Sequence, residues 1–192
     1  MCSLLHRCLQ FALISLILML RYNEDMTHED HVSSILAQWA AERPDLDVSP
    51  MGIVGRISRL SLVVEKELEP VFAQFGLNHW SFDMLATLRR AGAPYRLSPT
   101  ELFRSMMVTS GTMTNRIDRL AEKGLVRRIP DPEDRRGILV ELTEQGRELI
   151  DSALIAHVAN EARLLQPLSR EEQHTLAVLL RKWLASLEHR SF

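Results

Sequence analysis

The stretch from Ser98 to Gly146 constrains this chain more than any other part of its 192 residues. It opens with Ser98-Pro-Thr-Glu101, where a serine and a glutamate three residues later can exchange hydrogen bonds across a helix N-terminus. With Pro99 in the first turn, this predicts a short helix ending near Ser105. The connection Met106-Met-Val-Thr-Ser110 leads to a second helix, predicted from about Gly111 to Lys123 and closed by Gly124. Leu125 to Ile129 and Ile138 to Leu142 are rich in β-forming residues and flank Asp131-Pro-Glu-Asp-Arg-Arg-Gly137, which predicts an antiparallel hairpin with a charged tip. Two short helices beside an Arg-tipped ribbon can grip duplex DNA, one helix in the major groove and the ribbon in the adjacent minor groove.

The residues at the start of the second helix suit that task. Short hydroxyl and amide side chains at a helix N-terminus can bond phosphates or base edges, helped by free backbone N–H groups. A helix cap followed by indifferent surface residues would account for Thr109 or Ser110. It leaves Thr112, Thr114, Asn115 and Arg116 on one helix unexplained. The expected DNA contacts are Ser110, Thr112, Met113, Thr114, Asn115 and Arg119, with Arg135 and Arg136 in the wing. Asp134 could steer one of those arginines. Ile117, Leu120 and Leu125 supply the buried face.

The rest of the chain reads as helices. Apolar residues recur at three- and four-residue spacing from His28 to Arg43, Ser49-Pro50 opens a long helix to about Phe75, and Gly76 fits just past its end. Asn78 caps a helix to about Arg90. Thr143 caps another to about Leu165, and Ser169-x-x-Glu172 starts a last one through Leu187. The predicted order is α-α-α-α-α-β-β-α-α, a mainly helical chain with a small β-hairpin wing (α+β). The last two helices carry more apolar side chains than the first can cover, which predicts a twofold dimer of interleaved terminal helices. A dimer would set two recognition helices roughly 34 Å apart and select a pseudo-palindromic site.

Charge agrees with a one-sided encounter with phosphate. The chain carries −2 overall, but Arg104 to Arg136 holds eight basic and five acidic residues, so that window is +3 and the remainder −5. Both cysteines, Cys2 and Cys8, lie at the N-terminus, leaving the body without a disulfide or thiolate metal site, as in a reducing cytoplasm. The nearly unbroken apolar run Leu9–Leu20 is shorter than the ~20 residues a spanning helix needs. Residues 1–25 therefore read as an upstream extension before a start at Met26. A membrane-tethered sensor is the alternative reading. His28 and His31 could share a metal, but no matched ligands accompany them, and solvent-facing histidines are expected. No nucleophile–base pairing or glycine-rich phosphate loop is visible, which leaves an enzyme or carrier without machinery; no catalytic residue, metal or cofactor is expected.

Three segments resemble the MarR family of bacterial regulators: Ser98-Pro-Thr-Glu-Leu, Ser110 to Val126 and Asp131-Pro-Glu-Asp-Arg-Arg-Gly, with the helix start Leu142-Thr-Glu-Gln-Gly-Arg147. The likeness spans about residues 30–188. It implies a single domain over 26–192, with a winged helix at about 78–143 and dimerisation helices at about 28–75 and 144–188. It also implies a cytoplasmic, homodimeric repressor of duplex DNA, released by a small aromatic or phenolic ligand, with no membrane partner. The urate-responsive branch is the nearer likeness. By that resemblance Trp39, Asp83, Arg116 and Arg128 would hold a purine effector. An indole can stack on a flat anion, and guanidinium can bond it in two places. An Asp83–Arg116 pair would compete with the ligand.

Overall fold

The computed structural model of the chain describes residues 29–107, 113–134 and 136–189. They fall into two compact units, one ending at Leu62 and the other beginning at Val63.

In the first unit, α1 (His31–Glu42) starts three residues later than its apolar periodicity suggests, because Asp30 caps it by accepting the Ser33 N–H at 2.8 Å. Arg56 on α2 (Ser49–Gln74) donates to the same carboxylate from Nε at 2.8 Å and from Nη2 at 3.0 Å. Gly52 and Gly55 of α2 make room for Leu36 and Val32 of α1: a Cβ on either glycine would stand 3.3 Å from the facing side chain. Helix α2 includes Ser49 itself, whose N–H donates to Asp47 at 2.9 Å, so its cap lies upstream of the Ser-Pro pair.

The second unit takes the rest of α2, then α3 (His79–Arg90), β1 (Arg96–Leu97), α4 (Pro99–Ser105), α5 (Met113–Glu122), β2 (Val126–Pro130), β3 (Ile138–Leu142), α6 (Glu144–Leu164) and α7 (Arg170–Glu188). The predicted order holds, with β1 added. Strand β1 pairs antiparallel with β3, so the sheet runs β1-β3-β2. Two residues are too few to leave an alternating signature, and the sequence did not reveal it. Both predicted capping boxes form, at Ser98 and Ser169, and Asn78 caps α3 with Ser81 reciprocating. Gly124, at φ +70°, ends α5: its N–H donates to the Ala121 carbonyl at 2.9 Å and the Leu125 N–H to the Leu120 carbonyl at 3.0 Å. That left-handed residue reverses the chain into β2 with the last carbonyls of α5 satisfied.

The core of this unit joins every layer. Phe72, Met84, Leu85, Leu88, Leu102, Ile117, Leu120, Val140 and Ile150 are each at most 1 % exposed. In the hairpin, Val126 faces Leu142 and Arg128 faces Val140 across the strands. Because side chains alternate along a strand, Arg128 shares the core-facing side with the buried Val126. Arg127 points the other way, to an ion pair with Glu141.

Helix α7 buries none of its residues; Leu179, Leu180, Trp183, Leu184 and Leu187 are all open to solvent. Among the described residues no helix is long and apolar enough to cross a membrane. The apolar run Leu9–Leu20, both cysteines and His28 lie outside the described residues.

Candidate nucleic-acid interface

Helix α5 presents its first turn outward because its apolar residues are spaced for the core. Ile117 and Leu120 are buried, which leaves Thr114, Asn115 and Arg119 exposed. Met113 was expected among the DNA contacts. It packs partly buried against the core instead, where it anchors the start of the helix. Ser110, Thr112 and Arg135 lie outside the described residues.

The wing tip is shaped by its acidic residues. Asp131 accepts the Glu133 N–H and Asp134 accepts the Arg136 N–H, each at 2.9 Å. The Gly137 N–H closes the turn on the Asp134 carbonyl at 2.8 Å. Asp134 therefore folds the backbone of the tip, and Arg136 is exposed beside it. These are asparagine-like turns in which a short carboxylate stands in for a backbone acceptor.

On the recognition helix and behind it lie three of the four residues expected to hold an effector. Asp83 is 8 % exposed on α3 and accepts the Met107 N–H at 2.9 Å. A buried carboxylate thus fastens the backbone at Met107, just past the end of α4. Asp83 and Arg116 do not form the pair that the family resemblance implies. The structure gives each another partner, for the Arg116 guanidinium lies over the Trp80 ring at 5.4 Å from its centroid. Arg128 forms an ion pair with Asp118 of α5, and its Nη2 lies 3.5 Å from the Thr114 carbonyl. Trp39 belongs to the first unit, on α1, and is 42 % exposed.

Sequence reasoning missed Trp80 and Asp118. Trp80 sits one turn before Asp83 on α3, a spacing that puts both on one helical face, and that signal was available. Asp118 gave no such signal, because its partner depends on where β2 passes α5. Trp80 also lines a shallow cleft of about 250 Å³ with Asn78, Ser81, Arg119 and Lys123. Lys123, on the same cleft, donates to the Gly76 carbonyl at 2.9 Å.

This geometry can present a polar helix and a charged ribbon to one face of a duplex, with cations held just behind. Comparison with known proteins agrees. Residues 77–138 match the model of the MarR family. The chain is 46 % identical over 149 residues to the HTH-type transcriptional regulator PecS of Dickeya dadantii, covering 78 % of this chain and 90 % of that protein. It is 30 % identical over 145 residues to the HTH-type transcriptional repressor YetL of Bacillus subtilis, covering 76 % and 86 %. Among solved structures it is similar to a cysteine-to-serine mutant of MarR from E. coli complexed with operator DNA, with a TM-score of 0.61, 29 % identity and coverage of 70 % and 94 %. The winged helix-turn-helix of the structure and these likenesses together place the chain in the MarR family, as a DNA-binding transcriptional regulator and not an enzyme.

Proposed function

We propose that the chain is a cytoplasmic, homodimeric repressor whose hold on a pseudo-palindromic operator is loosened by a planar anionic effector of the urate class. The effector would draw on Asp83, Arg116 and Arg128 of the second unit. One observation carries this reading. The buried Asp83 carboxylate fastens the Met107 N–H just past α4, at the start of the segment that joins it to the recognition helix. A ligand that engages this carboxylate would compete for the fastening of the segment between α4 and α5. Arg116 and Arg128 stand on α5 and on the strand behind it, and both can offer paired donors to a flat anion. The open apolar face of α7 supports the dimer, since it needs a partner surface. The DNA-bound MarR neighbour supports operator binding.

The test is a gel-shift titration of the protein on its own upstream DNA against a panel of purines and phenols. Urate at millimolar levels is expected to release the duplex from wild type. Asp83→Ala should blunt that release by roughly tenfold in effector concentration while leaving the dimer intact, the loss of one charge-assisted contact. A wild-type protein indifferent to urate ends the urate reading, and release by a phenol alone would reassign the effector.

A further inference from the structure

Arg128 ties β2 of the wing to the recognition helix. It extends from the core-facing side of β2, pairs with Asp118 and reaches the Thr114 carbonyl, two groups one turn apart on α5. Neither partner lies on the hairpin, so this contact bears on the angle between recognition helix and wing. Both grooves of a duplex can be engaged together only at a suitable angle. Asp118 is also out of place on charge grounds. An acidic side chain 46 % exposed on a helix that meets phosphate should repel it, unless a cation neutralises it from behind.

We infer that Asp118 is a positioning residue. Its pair with Arg128 latches α5 to the wing in the operator-binding arrangement, and a planar anionic effector opens the latch by taking Arg128 for itself. The second half rests on the effector site proposed above. A guanidinium offers a limited set of coplanar donors, so Asp118 and an incoming anion compete for the same guanidinium. The energy involved is modest. A half-exposed ion pair supports an effect of up to about fivefold in an equilibrium constant.

The test compares wild type, Asp118→Asn and Asp118→Glu. The operator is a duplex selected by wild type from random sequence, and mixed-sequence DNA serves as the non-specific reference. Asp118→Asn should lower the ratio of operator to non-specific affinity by roughly three- to fivefold, and Asp118→Glu should recover most of it. Simple removal of a negative charge predicts tighter binding to both duplexes, so a ratio that is unchanged or raised overturns the latch. Calorimetry of free protein with urate should show Asp118→Asn binding about three- to fivefold more tightly than wild type, because Arg128 has lost its competitor. Equal urate affinity in the two proteins overturns the competition. A wild type that does not bind urate sinks the urate reading alone, and the latch then stands or falls on the duplex ratio.

Discussion

Gly146 lies against the backbone of the preceding hairpin. Its N–H donates to the cap Thr143 at 3.0 Å, and that hydroxyl donates in turn to the Gly124 carbonyl at 2.7 Å. A Cβ at Gly146 would clash with the Leu125 carbonyl oxygen, well inside van der Waals contact, and stand 3.0 Å from the Leu142 side chain. Helix propensity alone favours alanine over glycine by up to ~1 kcal/mol. The clash is with backbone, which cannot swing aside, so Gly146→Ala is expected to destabilise the protein by about 1–3 kcal/mol. Urea denaturation checks the sign: a lowered midpoint at unchanged slope is the expected result, and a raised midpoint refutes the close approach. From the sequence this position is merely a poor helix former.

At the scale of elements, the helix starts were legible because their signals are local. Ser98, Thr143 and Ser169 each accept the backbone N–H expected of them, since a cap and its target lie within one turn. Helix α1 was placed three residues early because its cap is also fastened by a residue far along the chain, Arg56. That arrangement makes α1 acid-sensitive. The Ser33 backbone N–H first, then the Ser33 hydroxyl and Arg56, hold the Asp30 carboxyl at about 2, below its ordinary 3.8. A depressed carboxyl contributes its stability in full above the ordinary value and loses it as pH falls through the folded one. Helix α1 should therefore loosen between about pH 4 and pH 2, before the core of the second unit, and Asp30→Asn should remove that dependence. Hydrogen exchange across this window checks it; α1 amides that open only together with those of α3 would refute it.

The proposed dimer belongs to the whole molecule. Leu180 and Leu184 lie one turn apart on α7, 42 % and 57 % exposed, on a helix with no buried residue. Glutamate at both positions should leave the fold of the second unit in place, since neither supports its core. It should convert the protein to a monomer in sedimentation at micromolar concentration. With one half-site lost, operator affinity should fall by on the order of a hundredfold, the benefit of linking two binding modules. A double variant that remains dimeric would move the interface elsewhere.

The order of the helices, the capping boxes at Ser98 and Ser169, the hairpin and the winged helix-turn-helix were legible in the amino acids alone. Each is written in signals that act within one turn or one strand pair, such as Ser98 with Glu101 or Gly124 after Glu122. The partners of the functional side chains came from the packed fold. Asp83 bonds Met107, Arg116 lies over Trp80 and Arg128 pairs with Asp118, across sequence separations of 24, 36 and 10 residues. The reason is physical. A long charged side chain can satisfy itself with any of several neighbours, and which one it meets is set by the packing of whole elements, not by spacing along the chain.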